Sequence, residues 1–262
     1  MSTPIRQLFD LSGKTALVTG GSRGLGLQIA EALGEMGAGV ALVARNGDEL
    51  DAAVAHLATQ GIEAVPLVCD LSDAPAIPPM VVLAEQRLGP IDILVNNAGA
   101  TWGAATVDQP LAAWQKVIAV NLTAMFVVTQ EVGRRSMLPR REGKVINVAS
   151  IRGLKGSRDD DRRPATLAYS TSKGGVVNFT RALAVEWGRH NINVNAIAPG
   201  LFPTRMTRRI LDITGDDAVT QVPLRRLGGP EDLKGIVAVL ASDAGRFITG
   251  QIIAIDGGAT AM

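Results

Sequence analysis

Lys14–Met36 reads KTALVTGGSRGLGLQIAEALGEM. Its first six residues, Lys14–Thr19, form an apolar run of strand length. The next stretch, Thr19-Gly20-Gly21-Ser22-Arg23-Gly24-Leu25-Gly26, carries glycines that let the backbone turn tightly and approach a ligand closely. Apolar residues then recur at helical spacing over Leu25–Met36. A strand, a glycine-rich turn and a helix in that order bring free amides and the positive end of a helix dipole to one point, which suits a pyrophosphate. The reading places a dinucleotide on Gly20, Ser22, Arg23, Gly24, Leu25 and Gly26.

The same alternation continues along the chain. Val40–Ala44, Ala64–Val68, Ile91–Val95, Lys144–Ala149, Asn193–Ile197 and Gln251–Ile255 read as further strands. Helices are predicted over Gly47–Gln60, Ala74–Leu88, Leu111–Met137, Ala168–Gly188 and Pro230–Ser242. Strands that are apolar throughout and joined by helices imply a parallel sheet covered on both faces. The expected architecture is α/β, a doubly wound Rossmann-type fold with a seven-stranded parallel sheet, in one domain over residues 1–262. Pro75, Pro78 and Pro79 should distort or delay the third helix, because proline lacks the amide donor and crowds the preceding turn. A charged excursion, GSRDDDRRP, occupies residues 156–164 and reads as an exposed loop inserted at about 156–165.

Bulk properties narrow the function classes. The 262 residues are 47% hydrophobic and 19% charged, ample for a large buried core and too apolar for disorder. Twenty-six basic residues balance 25 acidic ones without a basic run, so no nucleic-acid partner is expected. The start, MSTPIRQLFDLSGK, has no apolar stretch of the signal-peptide kind, and the most apolar segment, Val117–Val128, is broken by Asn121 and Thr123. A cytoplasmic protein with no membrane partner is expected. Cys69 is the sole cysteine, which excludes an intrachain disulfide and a multi-cysteine zinc site; it reads as buried filler, and no metal is expected.

The end of the second strand reads Leu42-Val43-Ala44-Arg45-Asn46. Folds that take NAD commonly place an acidic side chain there, about 20 residues past the glycine turn, to bind the ribose hydroxyls. Here Arg45 follows, and with Arg23 it could pair with a 2′-phosphate. NADP(H) is therefore expected in preference to NAD(H), with Arg45 and Asn46 among its contacts.

Tyr169-Ser170-Thr171-Ser172-Lys173 opens a predicted helix, so Tyr169 and Lys173 lie one turn apart on one face. A free tyrosine, with a pKa near about 10, is a poor acid–base at neutral pH, and a nearby ammonium would lower it. Tyr169 is the only tyrosine. Ser150 ends the strand KVINVAS at the carboxyl edge of the sheet, where ligands sit in this architecture. Asn121 is a polar residue within an apolar helix and needs hydrogen-bond partners. Together, Asn121, Ser150, Tyr169 and Lys173 would form a proton relay without metal or histidine. His56 and His190 show no pattern of a nucleophile elbow and read as surface or packing residues.

In order and spacing, the turn at Thr19–Gly26, Asn96-Asn97-Ala98-Gly99, Asn121, Ser150, Tyr169-x-x-x-Lys173, Asn195–Gly200 and the closing Ile248–Gly258 segment resemble the short-chain dehydrogenase/reductase family over about residues 9–258. The resemblance implies that Asp70 and Leu71 flank the adenine and that Asn97 and Gly99 meet the centre of the cofactor. Pro199, Gly200, Phe202 and Thr204 would meet the nicotinamide end. It also implies that Tyr169 and Lys173 contact the cofactor, that Lys173 holds ribose hydroxyls, and that Asn121 anchors a relay water. A homotetramer built through Leu111–Met137, Ala168–Gly188 and Ile248–Met262 is implied as well. Ser150 and Tyr169 stand further apart than in most relatives, with Arg158–Pro164 inserted between them; Arg158, Arg162 and Arg163 there could meet an anionic substrate.

At closer range, Ala100–Gly103, Trp114–Val117, Ala198–Thr207 and Pro223–Gly228 resemble two groups. One is the gluconate 5-dehydrogenases, acting on sugar acids; the other is the 3-oxoacyl thioester reductases. A ketone or secondary alcohol is thus the expected small-molecule partner, with Ser150, Trp102 and Phe202 at the substrate and the two aromatics forming an apolar wall. A non-catalytic NADP(H) sensor or scaffold is the reading from another class, and the complete relay argues against it.

Overall fold

Strand β1, Thr15–Thr19, is buried along its whole length and lies at the centre of the molecule. The computed structural model describes residues 2–156, 165–215 and 217–262. Strands β2 (Gly39–Ala44), β3 (Ala64–Val68), β4 (Ile93–Asn96), β5 (Gly143–Val148), β6 (Ile192–Pro199) and β7 (Ile252–Ile255) complete a seven-stranded sheet. Its order is β3-β2-β1-β4-β5-β6-β7, with every pairing parallel. The strand order reverses between β1, which pairs with β2 from Thr15↔Gly39 to Thr19↔Val43, and β4, which pairs with β1 from Ala16↔Ile93. A crevice opens at the carboxyl ends of these two strands, where doubly wound folds bind ligands.

Alternate side chains of each strand serve opposite faces. Ala16 and Val18 join Val40 and Leu42 beneath helices α1 (Gly24–Glu35) and α2 (Gly47–Ala58). Leu17 turns the other way with Val43, Leu94 and Val145. Helices α3 (Ile77–Leu88), α4 (Leu111–Arg140) and α5 (Leu167–Gly188) cover that face through Val81, Val128 and Trp187. Helix α6 (Lys234–Ala241) returns to the first face with Val237 and Leu240.

The three prolines act as their chemistry dictates. Ala74–Ala76 forms only a tight 3₁₀ turn, and α3 begins at Ile77 with Pro78 and Pro79 in its first turn, where a missing amide costs little. Cys69 is buried in the second core cluster, and burial pushes its thiol up. Helix α6 starts later than its sequence pattern suggests, at Lys234, after turns that begin at Pro230. Short helices at Ile5–Leu8, Arg208–Thr214 and Asp217–Thr220 are additional to the predicted set.

Helix α4 is long and apolar enough to cross a membrane by length and composition, with a mean hydropathy of 1.6 over its most apolar window. In the fold it packs on α3 and α5, and a third of that window is buried. It is also not uniformly α-helical: Ala119–Thr123 and Gly133–Met137 are wider π turns.

Candidate active site

The site is built where β1, β4 and β5 end. Thr19 Oγ1 donates to Val95 O and accepts from the amides of Asn97 (3.0 Å) and Ala98 (3.1 Å), tying the end of β1 to the chain leaving β4. Asn97 Nδ2 then donates to the carbonyls of Thr19 (2.9 Å) and Gly20 (3.0 Å). The side chain of Asn97 thus shapes the glycine turn, a role that the sequence reading did not give it. A Cβ on Gly26 would stand 2.1 Å from Gly20 O, so only glycine lets α1 start this close to the strand. Among the described residues, the amides of Ser22 through Gly26 have no protein acceptor, and Arg23 at the helix start supplies no side-chain cap. That cradle fits the pyrophosphate of a dinucleotide.

At the adenine end, Arg45 is exposed. Asp70 accepts from the amide (2.9 Å) and hydroxyl (2.7 Å) of Ser72, which with the nearby charges of Arg45 and Lys116 holds its carboxyl below the usual range. Asn46 accepts from the amide of Glu49 at 3.1 Å and so caps α2. Leu71 is 7% exposed, packed in the core cluster of α3, and also lines a recess beside Asn121 and Lys173.

Ser150 follows β5 and is 7% exposed; its Oγ accepts from the amide of Arg152 at 3.1 Å and lies close enough to the Tyr169 hydroxyl to favour the phenol's ionised form. The two meet because the turn Ile151–Gly153 seats directly on α5: a Cβ on Gly153 would stand 2.5 Å from the backbone carbonyl of Lys173. The excursion between them leaves this contact intact. Arg158, Arg162 and Arg163 lie outside the described residues, so the structure gives no position for them.

Lys173 is 4% exposed, and its Nζ donates to Val148 O at 2.6 Å and sits 5.7 Å from the centroid of the Tyr169 ring. Burial lowers its pKa to about 8. Tyr169 is raised by burial, against opposing pulls from the Ser150 hydrogen bond and the Arg152 charge. The sequence reading made Lys173 the group that lowers Tyr169. Here the pulls on the phenol come from Ser150 and Arg152 instead, while the buried Lys173 ammonium is directed at Val148 O, and desolvation decides the direction.

Asn121 lies in the Ala119–Thr123 π turn and is 2% exposed. Its Oδ1 accepts from Ala100 N (2.7 Å), while Nδ2 donates to Ala100 O (3.0 Å) and to Ser172 Oγ (2.9 Å). Ser172 Oγ in turn donates to Tyr169 O at 2.7 Å. Asn121 therefore ties the segment after β4 to the first turn of α5, and Ser172, one residue before Lys173, was not singled out from the sequence. The Cβ position of Gly99 lies 3.6 Å from Asn121 Oδ1 and 3.8 Å from Lys173 Nζ, so these groups converge. A narrow recess lined by Leu71, Ala98, Asn121, Val148 and Lys173 adjoins them.

Pro199, the last residue of β6, is buried, and a Cβ on Gly200 would meet Asp256 Cα at 2.8 Å. Thr204 is fixed by Thr207, whose Oγ1 accepts from Thr204 N at 2.8 Å. Trp102 follows the segment leaving β4 and is exposed. Phe202 corrects the sequence reading: its ring is 3% exposed and packed against Gly228 in the core under α6, so it forms no wall for a substrate. Glycine at 228 leaves the space into which the ring turns. His56 pairs with Glu31 at 2.7 Å and His190 accepts from Arg189 at 3.2 Å.

A serine, a tyrosine and a lysine gathered beside a dinucleotide cradle, on the switch point of a parallel sheet, define an oxidoreductase that works on a carbonyl or alcohol with a nicotinamide cofactor. Comparison with known proteins agrees. A family model described as enoyl-(acyl carrier protein) reductase matches residues 20–260. A gluconate 5-dehydrogenase of Gluconobacter oxydans is 39% identical over 99% of both chains. The rhamnolipid-biosynthesis 3-oxoacyl-[acyl-carrier-protein] reductase of Pseudomonas aeruginosa is 38% identical over 95% of this chain and 97% of its own. A crystal structure of a gluconate 5-dehydrogenase from Burkholderia cenocepacia, in complex with NADP and tartrate, superposes with a TM-score of 0.91 at 32% identity, covering 99% of this chain and all of that one. The chain belongs to the short-chain dehydrogenase/reductase family, oxidoreductases that act on CH–OH groups.

Proposed function

We propose that this protein interconverts a ketone and a secondary alcohol with NADP(H), on a sugar acid of the 5-ketogluconate type. The observation that carries the reaction is the Ser150–Tyr169–Lys173 cluster beside the open amides of the glycine turn. NADP(H) is favoured by Arg23 and Arg45 and by the absence of an acid at the end of β2. When bound, the cofactor supplies or accepts the hydride.

The chain's own groups handle the oxygen and its proton. Ser150 Oγ and the Tyr169 hydroxyl, neighbours at the end of β5, bracket a point where a substrate oxygen can accept from both. In reduction, Tyr169 donates its proton as negative charge develops on that oxygen, and burial keeps the phenol protonated until then. In oxidation the proton returns to Tyr169. Lys173, at about 8, holds its positive charge through neutral pH and sheds it above.

A sugar acid is favoured because Phe202 is withdrawn into the core, leaving Trp102 as the exposed aromatic of the predicted pair. The Gluconobacter and Burkholderia relatives support the same choice. A 3-oxoacyl thioester is the second reading; the exposed apolar side chains of Trp102 and Met206 and the Pseudomonas relative favour it. The test is absorbance loss of NADPH and NADH with 5-ketogluconate and with an acetoacetyl thioester. Ketogluconate turnover with NADPH is expected; thioester turnover alone would move the substrate to the second reading, and NADH preference would remove the cofactor argument.

The whole chain is read as one catalytic unit, and the cytoplasm, where NADP(H) is at hand, is its proposed location. Phe126 on α4 and Val185 on α5 are exposed at 49% and 85%. Apolar surface of this kind on the two long helices supports a homotetramer. Sedimentation of the wild type as four chains, and of Phe126→Glu with Val185→Glu as fewer, is the expected outcome.

A further inference from the structure

Arg23 is already engaged. Its guanidinium pairs with Glu49 in the first turn of α2, and Arg205, beyond β6, reaches the same Glu49 oxygen at 3.5 Å. Ser22 Oγ lies 3.5 Å from the other oxygen. Three separate segments, the glycine turn, the start of α2 and the chain after β6, therefore converge on one carboxylate. The backbone of Glu49 is pinned by Asn46, but its side chain is a third exposed, so the carboxylate can swing out while the helix stays in place. Arg45 immediately precedes Asn46, the N-cap of the same helix, so two arginines hold the acid and a third lies beside it in sequence.

A carboxylate carries one negative charge, whereas a phosphate monoester carries about 1.5 to 2 and offers three acceptor oxygens. We propose that Glu49 is a resident anion occupying the position of the NADP(H) 2′-phosphate, which displaces it from Arg23 and Arg205. Glu49 thereby sets the discrimination between phosphorylated and unphosphorylated dinucleotide. The same exchange transfers the Arg205 segment from α2 to the ligand. The inference rests on the NADP(H) reading above and adds a residue that opposes it.

Calorimetric titration of the whole protein with 2′,5′-ADP and with 5′-AMP tests this without turnover. The wild type should prefer 2′,5′-ADP. Glu49→Gln should bind it about fivefold more tightly, the scale of one exposed ion pair no longer broken on binding, and leave 5′-AMP unchanged. Glu49→Ala, which also removes the amide that could still hold Arg23, should move the same way, and Arg205→Ala should weaken 2′,5′-ADP alone. Unchanged or weaker 2′,5′-ADP binding in both Glu49 variants overturns the proposal, as does loss of 5′-AMP affinity, which would make Glu49 a ribose ligand. A wild type without preference removes the NADP(H) reading as well. A preference that ignores Glu49 removes only this inference.

Discussion

The relay around Asn121 and Lys173 and the corner where Arg23, Glu49 and Arg205 meet are built in opposite ways. Around the relay, Asn121 and Lys173 are at most 4% exposed, and each is held by backbone carbonyls or amides. At the corner, Arg23, Glu49 and Arg205 are 49%, 33% and 75% exposed and hold one another through ion pairs alone among the described residues. Buried hydrogen bonds are costly to break and fix a geometry, whereas exposed ion pairs are weak and exchangeable. Chemistry that needs one geometry sits in the first kind of environment, and recognition that must open and close sits in the second. Substitutions should therefore act steeply in the relay and shallowly at the corner.

The largest effect belongs to Tyr169→Phe. It removes the proton donor while keeping the ring, and kcat should fall by about 10² to 10⁴. Dinucleotide binding, followed by quenching of protein fluorescence, should be retained. A variant that kept wild-type kcat would place the acid elsewhere.

Next comes the pH dependence of stability. Lys173 is depressed from 10.5 to about 8, so its burial penalty is full below pH 8, where the ammonium is charged in both states. Between pH 8 and 10.5 the unfolded chain binds the extra proton, so this contribution rises with pH, up to on the order of 3 kcal/mol. Tyr169, raised above its usual value, acts oppositely and costs stability only above pH 10. Urea titrations of wild type and Lys173→Met from pH 7.5 to 10 should show the wild type gaining on the variant. Parallel curves would mean that Lys173 is not desolvated as its surroundings indicate.

Asn121→Leu should follow. It leaves the partly buried amide and carbonyl of Ala100 without their partner and frees Ser172 from its tie, for a loss of about 1 to 3 kcal/mol in urea unfolding. A loss below about 1 kcal/mol would show that these groups find other partners.

The same contrast separates what was legible in the sequence from what was not. β3 matches its predicted bounds, and the delayed start of α3 follows from proline chemistry that operates within a single turn. The need of Asn121 for partners was readable, but their identity was not. Ala100 is adjacent only once the chain has left β4 and returned along α4, and the π turn that presents the amide leaves no mark in the apolar pattern. Phe202 misled because an aromatic after β6 can face the crevice or the core, and Gly228, with no Cβ to fill the space, decides for the core. The pair of Arg23 with Glu49 joins residues 26 positions apart across two helices, so its arginine looked free.

Arg45 offers the smallest and most discriminating measurement. Unlike Arg23 it makes no ion pair among the described residues, and its charge acts on Asp70 from a distance. Nothing inside the protein has to be released before it can meet a phosphate. Arg45→Ala should therefore raise the NADPH KM about fivefold, the scale of one exposed charge pair, with kcat and the NADH KM nearly unchanged. Glu49→Gln should move the NADPH KM the other way, although both substitutions change the charge of the same helix start. A nonspecific electrostatic corner would respond to both with NADH and NADPH alike. Opposite signs confined to NADPH would show that the arginines read the phosphate and that the acid opposes it.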